Sequence, residues 1–278
     1  MPELPEVETT CRGLSNVLDG NKINRVQTLR AGLRIPFPAD IEKIMSGAFV
    51  VRVIRKAKYV CIYLSNGYVS IIHLGMSGRI IITSKSYAIQ KHDHFIIDMY
   101  SGDRIILNDP RRFGLVTLMK DTEILTHKLF KNIGPEPLSD TFTPELLSAI
   151  LKNKNTSIKL ALLDQKNVSG IGNIYACEAL FRARISPRRK SGSIFGKRST
   201  RLVNAIKLVL SEAIEAGGSS LRDYVQPNGE LGYFAINWRV YGREGKSCLW
   251  NHHKGKGVLV KRIIQSGRST FYCPTCQR

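Results

Sequence analysis

The chain has 278 residues, enough for two or three domains and a substantial buried core. Its 42 Lys+Arg against 22 Asp+Glu leave +20 at pH 7, which argues against an ordinary metabolic enzyme and for a polyanionic partner, nucleic acid ahead of an anionic membrane surface. No apolar run approaches the roughly 20 residues that span a bilayer, and three glutamates within the first eight residues exclude a signal peptide, so the expectation is a cytoplasmic protein.

The chain opens Met-Pro-Glu-Leu-Pro-Glu. A methionine aminopeptidase removes Met1 ahead of a small residue, which would leave Pro2 as a free secondary amine with Glu3 beside it. An α-amino group titrates near about 8 against about 10.4 for lysine, so far more of it is unprotonated near neutrality and able to attack a carbonyl carbon. A secondary amine condenses with an aldehyde-type carbon to a cationic iminium, an electron sink for elimination, and Glu3 stands where a general acid or base would serve it. Read alone, the hexapeptide also has a purely structural explanation. Pro5 suits the first turn of a helix, and Glu3, Glu6 and Glu8 complement its dipole. Beyond it, Val7, Cys11, Leu14 and Leu18 recur at helical spacing up to Gly20.

Short segments rich in Val, Ile and Tyr follow at residues 23–29, 49–55, 59–65, 68–73, 79–83, 94–99, 104–107 and 115–119, separated by turn residues. About eight strands behind one helix predict a β-sandwich or barrel. Within this region the passages His73-Leu-Gly-Met-Ser-Gly78 and Asp109-Pro-Arg-Arg-Phe-Gly114 put bulky Met76 and Phe113 in glycine- and arginine-rich turns, with Arg111 beside them as a bidentate donor. Taken singly, residues such as Met76 and Phe113 are more often core residues. An enzyme that extrudes a base, however, must plug the hole with apolar wedges and satisfy the orphaned partner base.

Residues 134–140 form a breaker cluster and the best domain boundary, after which the pattern turns helical at 144–151, 157–163 and 173–183. Leu202, Val203, Ile206, Val209, Leu210, Ala213 and Ile214 line one face of a longer helix that ends at Gly217-Gly218. From 181 to 200 there are seven basic residues and no acidic ones, a solvated loop or a phosphate-facing run. Gly170-Ile-Gly-Asn173 places two glycines before a helix start, where main-chain N–H groups and the Asn173 side chain form an anion site.

Three cysteines, Cys11, Cys61 and Cys177, sit in apolar surroundings and read as small buried residues. The others, Cys248, Cys273 and Cys276, lie near the end of the chain with the pair His252-His253. Three thiols and one imidazole make a closed tetrahedral set typical of structural zinc, although Cys248 lacks the second cysteine of a regular knuckle and could be incidental. Between the halves, residues 258–264 and 269–272 alternate like a hairpin with Gly267-Arg268 at its turn, where Arg268 presents a guanidinium suited to phosphate.

Together these motifs resemble the bacterial formamidopyrimidine-DNA glycosylase family over essentially the full length. The carriers are the N-terminal PELPEVE, Arg55-Lys-Ala-Lys-Tyr59, the passages at 72–78 and 109–114, Gly170-Ile-Gly-Asn-Ile-Tyr-Ala176, Gly232-Tyr-Phe234, Val240-Tyr-Gly-Arg243, and Gly267-Arg268 before Tyr272-Cys-Pro-Thr-Cys-Gln277. The resemblance implies an α+β fold with a catalytic β-sandwich over 1–134, a helix-two-turns-helix domain over 141–232 and a β-hairpin zinc finger over 240–278. It implies a monomeric bifunctional glycosylase and abasic-site lyase that excises oxidised purines from double-stranded DNA. Pro2 would attack the sugar C1′ and Glu3 would assist ring opening. Lys58, His73, Asn173 and Arg268 would grip phosphates, Lys58 and Arg268 close to the chemistry, with Lys166 and Tyr241 as further DNA contacts. Met76, Arg111 and Phe113 would fill the void, Arg111 reading the orphaned cytosine. One zinc ion would sit on Cys248, His253, Cys273 and Cys276, with His252 as the alternative imidazole, and residues 217–232 would form a loop over the lesion. A sister branch acting on oxidised pyrimidines resembles the chain less, since it usually begins Pro-Glu-Gly and lacks the void-filling set. A non-catalytic zinc-finger binder would have no use for an accessible N-terminal amine.

Overall fold

The protein, described by a computed structural model over residues 1–219, 237–250 and 257–278, forms two compact units. One comprises residues 1–131 and 214–235, the other 132–213 and 236–278. No helix among the described residues is long and apolar enough to cross a membrane.

The first unit opens with α1 (Leu4–Leu18), which begins earlier than its apolar spacing predicts because Pro5 takes a first-turn position where a missing N–H costs nothing. Its buried stripe is Leu4, Val7, Cys11, Leu14 and Leu18. Two antiparallel four-stranded sheets follow. One runs in the order β1 (Ile23–Thr28), β6 (Asp93–Met99), β7 (Asp103–Asn108), β5 (Arg79–Ser84). The other runs β2 (Val50–Lys56), β3 (Tyr59–Leu64), β4 (Tyr68–His73), β8 (Leu115–Lys120). A short helix, α2 (Ile41–Met45), lies between β1 and β2 and escapes the sequence pattern because five residues are too few to show a period.

Val26, Phe95, Ile97, Ile105 and Leu107 of the first sheet share one core with Val53, Val60, Ile62, Ile72 and Val116 of the second. Val7, Cys11, Leu14 and Leu18 of α1 and Ile41 and Met45 of α2 close it. This is the expected β-sandwich with its preceding helix. Every residue of β6 is buried, so the strand shows no alternation of polar and apolar positions.

In the second unit α3 (Pro144–Leu151) starts at Thr143, whose hydroxyl accepts the Leu146 N–H at 3.2 Å. Then come α4 (Ile158–Leu163), α5 (Asn173–Arg182) and α6 (Lys197–Glu215). The α6 stripe named from sequence is buried from Leu202 to Ile214. A terminal hairpin pairs β9 (Lys261–Gln265) with β10 (Arg268–Tyr272). Its two-residue turn, Ser266-Gly267, has φ 46° and 72°, the left-handed pair whose twist matches that of the flanking strands. Cys11, Cys61 and Cys177 are buried free thiols, as their surroundings predict.

Candidate active site

The head of α1 is held by a buried carboxylate. Glu6 Oε2 accepts the Glu3 N–H at 2.9 Å, and Glu6 Oε1 accepts both the N–H and the hydroxyl of Ser219, at 2.8 and 2.9 Å. Glu3 and Glu6 form a capping box and are 3% and 2% exposed. Pro2 is buried while Met1 is exposed. From sequence Glu6 has only a helix-dipole role. The signal that reveals more is the three-residue spacing of Glu3 and Glu6; Ser219, 213 positions away, leaves no trace in local sequence.

Lys58 and His73 lie in the same unit. Arg55 donates to Glu8 of α1 and to the Ala57 carbonyl, both at 3.0 Å, which fixes the β2–β3 turn that carries Lys58. Ala57 sits at φ 53°, a left-handed conformation that costs an alanine about 1 kcal/mol and so needs such bracing. His73 Nδ1 accepts the Gly75 N–H at 3.0 Å and the ring packs on Tyr59 with centroids 4.9 Å apart. Burial, followed by the positive charges of Arg34 and Lys58, pushes the His73 pKa down to about 4. The imidazole is therefore neutral near pH 7, and with Nδ1 accepting, Nε2 carries the hydrogen and can donate it.

The two turns that carry Met76 and Phe113 are clasped by Asp109, which is fully buried. Its Oδ1 accepts the Ser77 hydroxyl at 2.7 Å and its Oδ2 accepts the Gly114 N–H at 2.8 Å. The Ser77 oxygen in turn accepts the Arg111 N–H at 3.2 Å, and the Asp109 carbonyl lies 3.0 Å from His94 Nε2. The turns touch closely. A Cβ on Gly75 would lie 2.4 Å from the Phe113 carbonyl carbon, and Gly75 is at φ 64°, so both space and conformation require glycine. On this frame Met76 and Phe113 are 38% and 45% exposed, and the Arg111 guanidinium stands 4.8 Å from the Phe113 ring centroid. Two large apolar side chains exposed on braced turns are not core residues.

In the second unit Asn173 begins α5. Its Nδ2 donates to the Ser269 carbonyl at 3.0 Å and the Tyr241 hydroxyl at 3.4 Å, so the amide ties α5 to the hairpin one residue from Arg268. The sequence reading makes this side chain a phosphate donor. Both partners of its Nδ2 lie within the second unit. Arg268 is exposed at the hairpin turn, and Lys166 is exposed in the loop before α5.

Two buried charges that sequence reasoning missed brace this half. Lys159 Nζ, on a fully buried residue, donates to the Ser269 carbonyl at 3.2 Å and the Thr270 hydroxyl at 2.6 Å. Glu178, also fully buried, accepts the N–H groups of Arg239, Val240 and Tyr241 at 2.9 to 3.1 Å. Burial raises the Glu178 pKa, against those N–H donors and the charge of Arg182. The signal was present in both cases: one charged residue inside an otherwise apolar helical run.

Cys248, Cys273 and Cys276 have their sulfurs within 4.8 Å of one another, with Cys248 and Cys276 3.6 Å apart. Tetrahedral Zn–S bonds of about 2.3 Å set sulfurs about 3.8 Å apart, so the three thiols fit a metal. His252 and His253 lie outside the described residues, as does the lesion-loop segment from 220 to 232.

Comparison with known proteins places the chain among relatives. Residues 1–116 match the family model "Formamidopyrimidine-DNA glycosylase N-terminal domain" and residues 133–225 the "Formamidopyrimidine-DNA glycosylase H2TH domain". The chain is 50% identical over 288 residues to the formamidopyrimidine-DNA glycosylase of Roseobacter denitrificans, and 51% identical over 286 residues to that of Ruegeria pomeroyi, with all of each chain covered. Among solved structures, a variant of the Lactococcus lactis Fpg bound to Fapy-dG containing DNA superposes with TM-score 0.91 at 31% identity over all of both chains. MutM bound to carbocyclic 8-oxo-G containing DNA gives 0.89 at 32%, again over all of both chains.

Two outcomes follow from this geometry. Asp109→Asn keeps size but turns one acceptor into a donor facing the Gly114 N–H or the Ser77 hydroxyl. Urea denaturation should show a loss of about 1–3 kcal/mol, and an unchanged midpoint would contradict the clasp. His73 binds its proton near pH 6.5 in the unfolded chain and near 4 in the folded one, so stability falls as pH drops through that window. His73→Gln should remove that share of the acid sensitivity between pH 7 and 5; an identical acid slope in the variant would contradict the depressed value.

Proposed function

The chain belongs to the formamidopyrimidine-DNA glycosylase family, and from that membership we propose that it excises oxidised purines, 8-oxoguanine and formamidopyrimidines, from duplex DNA and nicks the resulting abasic strand. The observation that carries the reading is the N-terminal Pro2-Glu3 pair, held by the buried Glu6 carboxylate in a chain that matches its relatives from end to end.

With Met1 attached the Pro2 nitrogen is an amide nitrogen with no lone pair free to attack. Once Met1 is removed, the unprotonated Pro2 amine adds to C1′ of the extruded nucleoside. The N-glycosidic bond breaks and the base departs with its electron pair, while Glu3 donates a proton to the sugar ring oxygen as the ring opens. The iminium at C1′ acidifies C2′; loss of a C2′ proton expels the 3′ phosphate, and a second elimination expels the 5′ phosphate. Lys58 and Arg268 supply positive charge to the phosphates and the neutral His73 supplies an N–H. Asn173, Lys166 and Tyr241 bind the backbone from the α5 side. Met76 and Phe113 enter the stack vacated by the base, and Arg111 contacts the orphaned cytosine.

We assign catalysis to residues 1–134, helix-two-turns-helix DNA binding to 141–232 and a finger to 240–278, the protein acting as a cytoplasmic monomer. The metal of the finger is read as one structural zinc on Cys248, Cys273, Cys276 and His253 or His252. It would supply the folding energy that a segment this small lacks and so hold Arg268 toward DNA.

Glu3→Gln should stay folded and bind a duplex with 8-oxoguanine opposite cytosine, yet lose about 10²–10⁴-fold in single-turnover excision. Unchanged excision would remove Glu3 from the chemistry. Cys276→Ser should lose zinc by metal analysis and lose binding and excision together. A fully active wild-type preparation without zinc would overturn the metal assignment.

A further inference from the structure

At the C-terminal end of α5 the second unit carries a groove of about 500 Å³ lined by Phe181, Arg182, Arg184, Leu208, Leu249 and Trp250, with Arg239 at its rim. Its size is that of a pocket able to take a ligand side chain or short segment. Phe181 is buried and meets Trp250 edge-on with centroids 5.8 Å apart, which forms a fixed aromatic floor. Arg184 lies over Trp250 at 4.2 Å from the ring centroid, so its guanidinium is oriented rather than free to swing. Leu208 and Leu249 are 53% and 42% exposed. Leu208 stands off the buried stripe of α6, and the core gives no reason for an apolar residue there.

The charge is unbalanced. Arg182 is paired with Glu212 at 2.7 Å, while Arg184 and Arg239 make no ion pair among the described residues. Of the three guanidiniums, Arg182 meets carboxylates among the described residues, Glu212 in an ion pair and the buried Glu178 through its charge, which leaves Arg184 and Arg239 to set the sign of the groove. The Arg239 main chain is fixed by Glu178, so the rim is braced from beneath. This is not the phosphate-binding end of the helix. Asn173 starts α5 and Arg182 ends it, which separates the two by about 13 Å along the axis. A duplex backbone would also leave two exposed leucines and a half-buried tryptophan without a partner.

We propose that this groove docks an acidic segment of another protein, one that seats a single large apolar side chain among Leu208, Leu249 and Trp250 and lays carboxylates over Arg184 and Arg239. Aromatic and arginine residues around a concave centre are what such anchors use. The proposal stands apart from the repair chemistry, since no residue of the groove belongs to the Pro2 site or the wedge turns.

The test uses the full-length, metal-loaded protein and a fluorescein-labelled peptide, acetyl-Asp-Glu-Asp-Glu-Gly-Phe, read by anisotropy. Saturable binding is expected, weakened at least about tenfold when the peptide phenylalanine is replaced by serine. Arg184→Glu and Leu208→Glu should each weaken binding by at least about tenfold, and with Leu208→Glu excision from a lesion duplex stays at the wild-type rate. Leu208 is on an exposed helix face, so that variant tests the groove even where Arg184→Glu disturbs the finger. Absence of binding up to about 1 mM peptide, equal binding by both variants, or displacement of the peptide by undamaged duplex would overturn the proposal, the last by making the groove part of the DNA surface.

Discussion

The site depends first on one buried carboxylate. A chain terminus ordinarily frays, and a nucleophile on it would be lost in motion. Glu6 prevents this by accepting three hydrogen bonds at once, one from the Glu3 N–H and two from Ser219. A carboxylate taken from water costs several kcal/mol unless its oxygens are satisfied, so loss of these donors would be costly. The same contact ties the N-terminal dipeptide to the point where the chain enters residues 220–236. Chain segments far apart in sequence, both expected to face the damaged nucleotide, thus share one anchor.

The same device recurs. Asp109 clasps the two wedge turns, Glu178 gathers the three N–H groups of residues 239–241, and Lys159 holds the hairpin strand beside Arg268. Each is buried and each serves main-chain or hydroxyl partners; Asp109 and Glu178 fix loops, and Lys159 fixes the strand that follows the hairpin turn. The exposed side chains of Met76, Arg111 and Phe113 are thereby carried on irregular backbone held by buried charge, while Arg268 opens β10 at the hairpin turn. Irregular backbone is what reaching into a duplex requires. Buried charge is how the fold keeps it in position, and removing one partner leaves a desolvated group unpaired, which is the costly case.

Much of this was legible in the sequence wherever periodicity carries the information. The α1 stripe, the sandwich strands and the α6 stripe were predicted within a few residues because burial on one face leaves a repeat. The start of α1 was missed because Pro5 and a cap, not apolar spacing, define it; α2 was missed for its length. The chemistry was legible where residue type is restrictive: a proline-glutamate terminus, glycines that no other residue can replace between closely packed turns, a CxxC pair. The braces were not. Glu6 and Ser219 meet only through the tertiary fold, and Lys159 and Glu178 announce themselves only as charges in apolar runs, without naming their partners. Asn173 was placed at the correct helix start, and the bonds of its amide to Ser269 and Tyr241 are partners that only the tertiary fold reveals.

The central claim is that the N-terminal proline, freed of Met1 and set by Glu6, forms the covalent bond to DNA. Borohydride reduction during turnover of a duplex carrying 8-oxoguanine opposite cytosine tests it directly. The account predicts one protein–DNA adduct whose modified peptide begins at Pro2, absent when Met1 is retained. An adduct mapping to Lys58, or full excision and strand cleavage by Pro2→Gly without any trapped species, would contradict it.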